Sequence, residues 1–120
     1  MDDDELLRGA LRVVLEGAGY EVIEAGDGNA GLQLQREQAA DVVLVDIFMP
    51  ERDGLEVIRA LRAETTQAKI IAMSGGGQTG QIEVLEAAAA FGAARTLLKP
   101  FQPRQLLKAI RDLLGEPAPP

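Results

Sequence analysis

The chain reads as an α/β protein: a doubly wound parallel sheet with helices on both faces, in three α/β/α layers. Two observations predict this. Short apolar runs alternate with stretches of helical period along the chain, the pattern of βαβ units joined by right-handed crossovers. Three of those runs also end on a polar residue, at Val45-Asp46, Met73-Ser74 and Leu98-Lys99. The carboxyl ends of parallel strands share one edge of the sheet, where ligands collect, so Asp46, Ser74 and Lys99 are expected to converge there.

From Glu5 to Gly17 the residues Leu6, Leu7, Ala10, Leu11, Val14 and Leu15 fall at helical spacing, and Gly17 and Gly19 stop the helix. Tyr20 to Ala25 alternates like a short strand and closes on the turn Gly26-Asp27-Gly28. Asn29 is placed to cap a helix running to about Gln38, with Ala30, Leu32 and Leu34 toward the core. Asp41 to Asp46 is an almost unbroken apolar run, as a strand covered on both faces requires, and is expected to be the central strand.

Helical spacing returns from Gly54 to about Glu64 with Leu55, Val57, Ile58 and Leu61, followed by a strand at Lys69 to Ser74. Gln81 to Phe91 is an alanine-rich helix stopped by Gly92, and Arg95 to Leu98 is the last strand. Pro103 opens a terminal helix to about Leu114, where its missing N–H is harmless. Residues 1–114 therefore read as one domain, and 115–120, with three prolines, as a flexible tail.

Composition narrows the chemistry. There is no cysteine and no histidine, which removes disulfides, thiolate chemistry, imidazole bases and the commonest zinc ligands. Any reaction must run on carboxylates, hydroxyls, lysine and metal. A net charge of -7 argues against a nucleic-acid partner, because phosphate binding needs clustered cations. No apolar run approaches the roughly 18 to 20 residues of a membrane span, and the acidic start Met1-Asp2-Asp3-Asp4 is unlike a signal peptide, so a cytoplasmic location is expected.

Several motifs stand in a fixed order: the acidic pair Asp2-Asp3, the stretch Asp46-Ile47-Phe48-Met49-Pro50 with Asp53-Gly54 behind it, Ser74 after an apolar strand, and Lys99-Pro100-Phe101. In order and spacing the chain resembles the receiver domain of two-component response regulators, over nearly its whole length. The resemblance implies a flavodoxin-like sheet and a phosphoprotein in which Asp46 accepts a phosphoryl group from the phosphohistidine of a histidine kinase or phosphotransfer protein. It also implies a Mg2+ site built by Asp2, Asp3, Asp46 and the backbone carbonyl of Phe48. Lys99 would pair with the phosphoryl oxygens and Ser74 would hydrogen-bond one of them. Carboxylates about 4 Å apart repel by about 4 kcal/mol at an effective dielectric of 20, so such a cluster calls for a cation. Magnesium prefers a few carboxylates with water and phosphate oxygens.

The expected function is a stand-alone receiver in a phosphorelay that signals by binding a downstream protein. It is not expected to be an enzyme beyond intrinsic autodephosphorylation. Two rivals are a pseudo-receiver acting as an interaction module and a metal-dependent aspartyl phosphatase. The latter usually carries a second acid two residues after the nucleophile, where this chain has Phe48.

Two departures from the family pattern carry expectations of their own. Receivers have an apolar strand directly before the acidic pair, in the middle of a 2-1-3-4-5 sheet, whereas here only Met1 precedes Asp2. A late start, a strand exchanged from another chain, or a degenerate receiver would each explain this. With that strand absent, Asp2 and Asp3 are expected to hang from a frayed terminus. The second departure is Thr96, where many receivers carry an aromatic switch residue; a switch here would rest on Ser74 and the Gly75-Gly76-Gly77 loop. A homodimer, through strand exchange or the face around Ala87 to Leu98, is a further expectation.

Overall fold

Among the described residues three parallel strands, β1 (Val42–Asp46), β2 (Lys69–Ser74) and β3 (Arg95–Leu98), lie side by side in that order. Five helices among the described residues surround them: α1 (Glu5–Gly17), α2 (Gly28–Gln38), α3 (Gly54–Glu64), α4 (Gln81–Phe91) and α5 (Pro103–Leu114). This is a computed structural model, and it describes residues 1–48, 53–64, 67–75 and 81–116, with the side chains of 81 and 82 excepted. Met49 to Arg52, the glycines Gly76 and Gly77, and the residues from Pro117 onward lie outside the described residues.

Side-chain alternation sorts the strands between two cores. Val43, Val45, Ile70 and Ala72 face α2, α3 and α4, where they pack on Leu32, Val57, Ile58, Leu61 and Ala88. Val42, Leu44, Ile71 and Leu97 face α1 and α5, against Leu11, Leu15, Leu106, Ala109 and Ile110. β2 is the most deeply covered strand, with Ile70 to Ser74 all buried, and β3 is a largely exposed edge. The central position thus falls to β2 among the described strands, rather than to β1.

The helix ends follow local chemistry. Asp4 caps α1 by accepting from the amides of Leu6 and Leu7, and Gly19, at φ 95°, turns the chain away in a conformation glycine adopts freely. The α2 cap is Asp27, whose carboxylate accepts from Ala30 N, so the helix starts ahead of Asn29. Such a cap contributes about 1 kcal/mol. Ala30 is exposed, leaving Leu32 to carry the core contact. Leu6 likewise points to solvent, and the inward stripe of α1 narrows to the buried Leu15 with Leu7, Leu11 and Val14 half-buried beside it.

Tyr20 to Ala25, expected as a strand, joins no ladder. A strand exists only by its hydrogen-bonded neighbour, and the neighbour here is two residues long. The Met1 ammonium donates to Leu44 O (2.7 Å), Met1 O accepts from Asp46 N (2.9 Å), and Asp2 N donates to Ala25 O (3.1 Å). Met1 and Asp2 therefore fill one end of a gap between β1 and residues 20–25. The frayed terminus expected from the sequence is not observed. These bonds anchor it, together with Arg8, whose Nη1 donates to Asp2 O (2.8 Å). Gly115 caps α5, and Glu116 accepts from the Tyr20 hydroxyl (2.6 Å), so the first two tail residues are docked on the domain.

Candidate functional site

The parallel register delivers the three strand ends to one place. Asp46 is level with Met73 and Ser74 with Leu98, and pairing continues past both strands through Ile47 N to Met73 O (2.9 Å) and Lys99 N to Ser74 O (2.8 Å). Asp46, Ser74 and Lys99 are consequently side by side at the carboxyl edge. The Lys99–Pro100 peptide bond is cis. Gly54 brings α3 onto the end of β1, its N–H donating to Ile47 O at 2.8 Å. A Cβ there would overlap Ile47 Cα and the Asp46 carbonyl oxygen, so only glycine fits.

The terminal acids complete the group. Carboxylate oxygens of Asp2, Asp3 and Asp46 all lie within 4.8 Å of one another. Asp2 is 2% exposed and Asp46 5% exposed, whereas Asp3 faces solvent. The Lys99 ammonium donates to Asp2 Oδ2 at 2.9 Å and lies 3.5 Å from Asp46 Oδ2. The other Asp2 oxygen accepts from Asp4 N (3.0 Å), and Asp46 Oδ1 accepts from Phe48 N (3.2 Å). Ser74 is fully buried and has a polar partner of its own.

The Lys99 ammonium pairs with two of the three carboxylates, Asp2 and Asp46, and the electrostatics record the imbalance. Burial raises the Asp46 pKa to about 6; the Lys99 charge opposes this and Asp2 reinforces it. Burial acts to lower Lys99, but its hydrogen bond to Asp2 and the charges of Asp46 and Asp2 outweigh that, and its pKa is raised. A cluster of oxygen donors with surplus negative charge, open on one side at Asp3, matches the donor set of a hard divalent cation.

All the side chains picked out from the sequence, Asp2, Asp3, Asp46, Ser74 and Lys99, thus meet at one edge. Phe48, whose backbone carbonyl was the fourth expected ligand, follows directly, with its amide on Asp46. Sequence reasoning missed the supports. The Met1 amine, bonded to Leu44 O, anchors the terminus and Arg8 bonds Asp2 O, and Glu24 in turn binds Arg8 Nε (3.0 Å) and Arg12 Nη1 (2.7 Å). Arg8 and Arg12, four apart on one helix face, were the available signal.

Comparison with known proteins agrees with this geometry. The response regulator receiver domain family matches residues 1–111. The chain is 38% identical over 114 residues to the chemotaxis protein CheY of Thermotoga maritima, covering 94% of this chain and 92% of that protein. It is 31% identical to the transcriptional regulatory protein SrrA of Staphylococcus aureus, covering 95% of this chain but 46% of SrrA, so it spans just under half of that relative. The receiver domain of NtrX from Brucella abortus superposes with a TM-score of 0.88 at 25% identity, over 95% of this chain and 94% of that one. Among the described residues no helix is long and apolar enough to cross a membrane. The chain belongs to the response regulator receiver family of two-component systems.

Proposed function

We infer that Asp46 is the phosphoacceptor of a cytoplasmic phosphorelay. The observation that carries this is the position of its buried carboxylate, 3.5 Å from the Lys99 ammonium and within 4.8 Å of two further carboxylates. An Asp46 oxygen attacks the phosphorus of a phosphohistidine on a histidine kinase or phosphotransfer protein. The P–N bond breaks, its electron pair returns to the imidazole, and an acyl phosphate remains on Asp46. Charge in such a transfer spreads over the equatorial oxygens, which call for fixed cations rather than a base. Lys99 supplies one, and the Ser74 hydroxyl, buried at the adjoining strand end, hydrogen-bonds a phosphoryl oxygen.

Asp2, Asp3, Asp46 and the Phe48 carbonyl would hold Mg2+, which when bound neutralises carboxylate and phosphoryl charge. Water later attacks the phosphorus and releases inorganic phosphate, restoring the carboxylate. This intrinsic reversal does not make the protein an enzyme. Its output is the binding of a downstream protein. Treatment with acetyl phosphate and Mg2+ tests the reading by intact mass. One phosphoryl group per chain is expected, lost in Asp46→Ala. Labelling that persists in Asp46→Ala, or steady turnover of a phosphate ester without a labelled chain, would overturn it.

A further inference from the structure

Asp2 is held through its main chain as well as its carboxylate. Its N–H donates to Ala25 O (3.1 Å), and its carbonyl oxygen accepts from Arg8 Nη1 (2.8 Å). The same guanidinium donates through Nε to Glu24 Oε1 (3.0 Å), and Glu24 Oε2 accepts from Arg12 Nη1 (2.7 Å). Arg8 and Glu24 are both half-buried, with side chains 21% and 26% exposed. The guanidinium lies against bare backbone at Gly26, where a Cβ would sit 3.2 Å from Arg8 Nη1. One planar fork thus ties α1, residues 24–26 and Asp2 together, and bonding two of its nitrogens fixes its orientation.

We propose that Arg8, oriented by Glu24, is a positioning residue for the divalent cation: it fixes the Asp2 carbonyl so that the Asp2 carboxylate keeps its place when Lys99 leaves it. This rests on the reading that Asp2 helps to hold Mg2+ beside the phosphoacceptor Asp46. Lys99 donates to Asp2 Oδ2 at 2.9 Å, a bond it cannot keep once a cation shares that carboxylate, because the like charges repel. Asp2 then rests on the Asp4 amide at Oδ1 (3.0 Å) and on its two main-chain bonds. A metal ligand must be held within about 0.5 Å, and losing an outer partner typically costs about ten- to hundredfold in affinity. Charge alone acts the other way. Arg8 is itself a cation, so its field opposes metal binding, and removing it would tighten the site. The sign of the change separates positioning from charge.

The test is Mn2+ binding to the full chain, with Mn2+ standing in for Mg2+, read by electron paramagnetic resonance without a phosphoryl donor. Arg8→Met should weaken Mn2+ binding about tenfold and Glu24→Gln several-fold. Lysine keeps the charge but lacks the fork, so Arg8→Lys should fall between wild type and Arg8→Met. Glu24 acts only through Arg8, so adding Glu24→Gln to Arg8→Met should weaken binding no further. Arg62→Met serves as the control for stability. It breaks a similar bond, from Arg62 Nη2 to Ala68 O (2.8 Å) at the amino end of β2, and should lower the urea midpoint while leaving Mn2+ affinity unchanged. Unchanged or tighter Mn2+ binding by folded Arg8→Met and Glu24→Gln, additive losses in the double variant, or equal weakening by Arg62→Met would each refute the positioning role. The two readings fail separately: labelling of Asp46 without these losses refutes positioning alone, and these losses without labelling refute the phosphoacceptor alone.

Discussion

Asp46 is destabilised as an anion by its own burial, and Lys99 offsets only part of that cost because it is hydrogen-bonded to Asp2. Its folded pKa of about 6 lies above the ordinary 3.8, so between those values the folded state holds a proton that the unfolded state has lost. Stability attributable to this group therefore falls as pH rises through that window in metal-free solution. Asp46→Asn removes the effect. The variant is predicted to match wild type near pH 4 and to exceed it at pH 7 by at most about 2 kcal/mol, after allowance for solvent screening at the site mouth. Urea denaturation in the presence of a chelator checks this, and a variant less stable than wild type at pH 7 would contradict it.

At the scale of elements, the site depends on how strand ends are fixed. Gly54 is where α3 closes on β1, and a methyl there must displace backbone rather than a flexible side chain. Gly54→Ala is predicted to cost on the order of 2 kcal/mol, read as a lower urea midpoint; an unchanged midpoint would show that α3 can shift without loss. Most elements were legible in advance. Periodicity located α1, α3 and α5 and the strands ending in Asp46, Ser74 and Leu98, because each packs against neighbours in this same chain. The illegible parts have physical causes. Residues 20–25 alternate like a strand, but alternation reports a half-buried surface and does not supply a ladder partner. Asn29 and Asp27 are both capping residues, and only the backbone turn decides which side chain meets Ala30 N. The chemistry was visible because Asp46, Ser74 and Lys99 end three parallel strands, whereas the anchoring of Asp2 was hidden because it rests on a terminal amine and a carbonyl oxygen.

For the molecule as a whole, the sheet separates two cores, and the terminus threads between them to bring Asp2 to the same edge as Lys99. This places an amine in the interior. Burial lowers the Met1 amine pKa from 8.0 to about 6, against the partial support of Asp2. Between those values the unfolded chain binds a proton that the folded chain does not, so stability rises with pH across the window. Metal-free protein should therefore be least stable near pH 6, where the Asp46 effect has finished and the amine effect begins. From pH 6 to 8 the gain should be on the order of 2 kcal/mol, measured by urea midpoints. Acetylation of the Met1 amine should flatten that limb, and a rise that survives acetylation would assign it elsewhere.

The central claim is that one carboxylate, at position 46, takes the phosphoryl group. An acyl phosphate is reduced by borohydride to homoserine, which marks the modified aspartate by mass within a peptide. After treatment with a phosphohistidine donor and Mg2+, homoserine is predicted at position 46 alone. Homoserine at position 2 or 3, or none in a chain that remains folded, would contradict it.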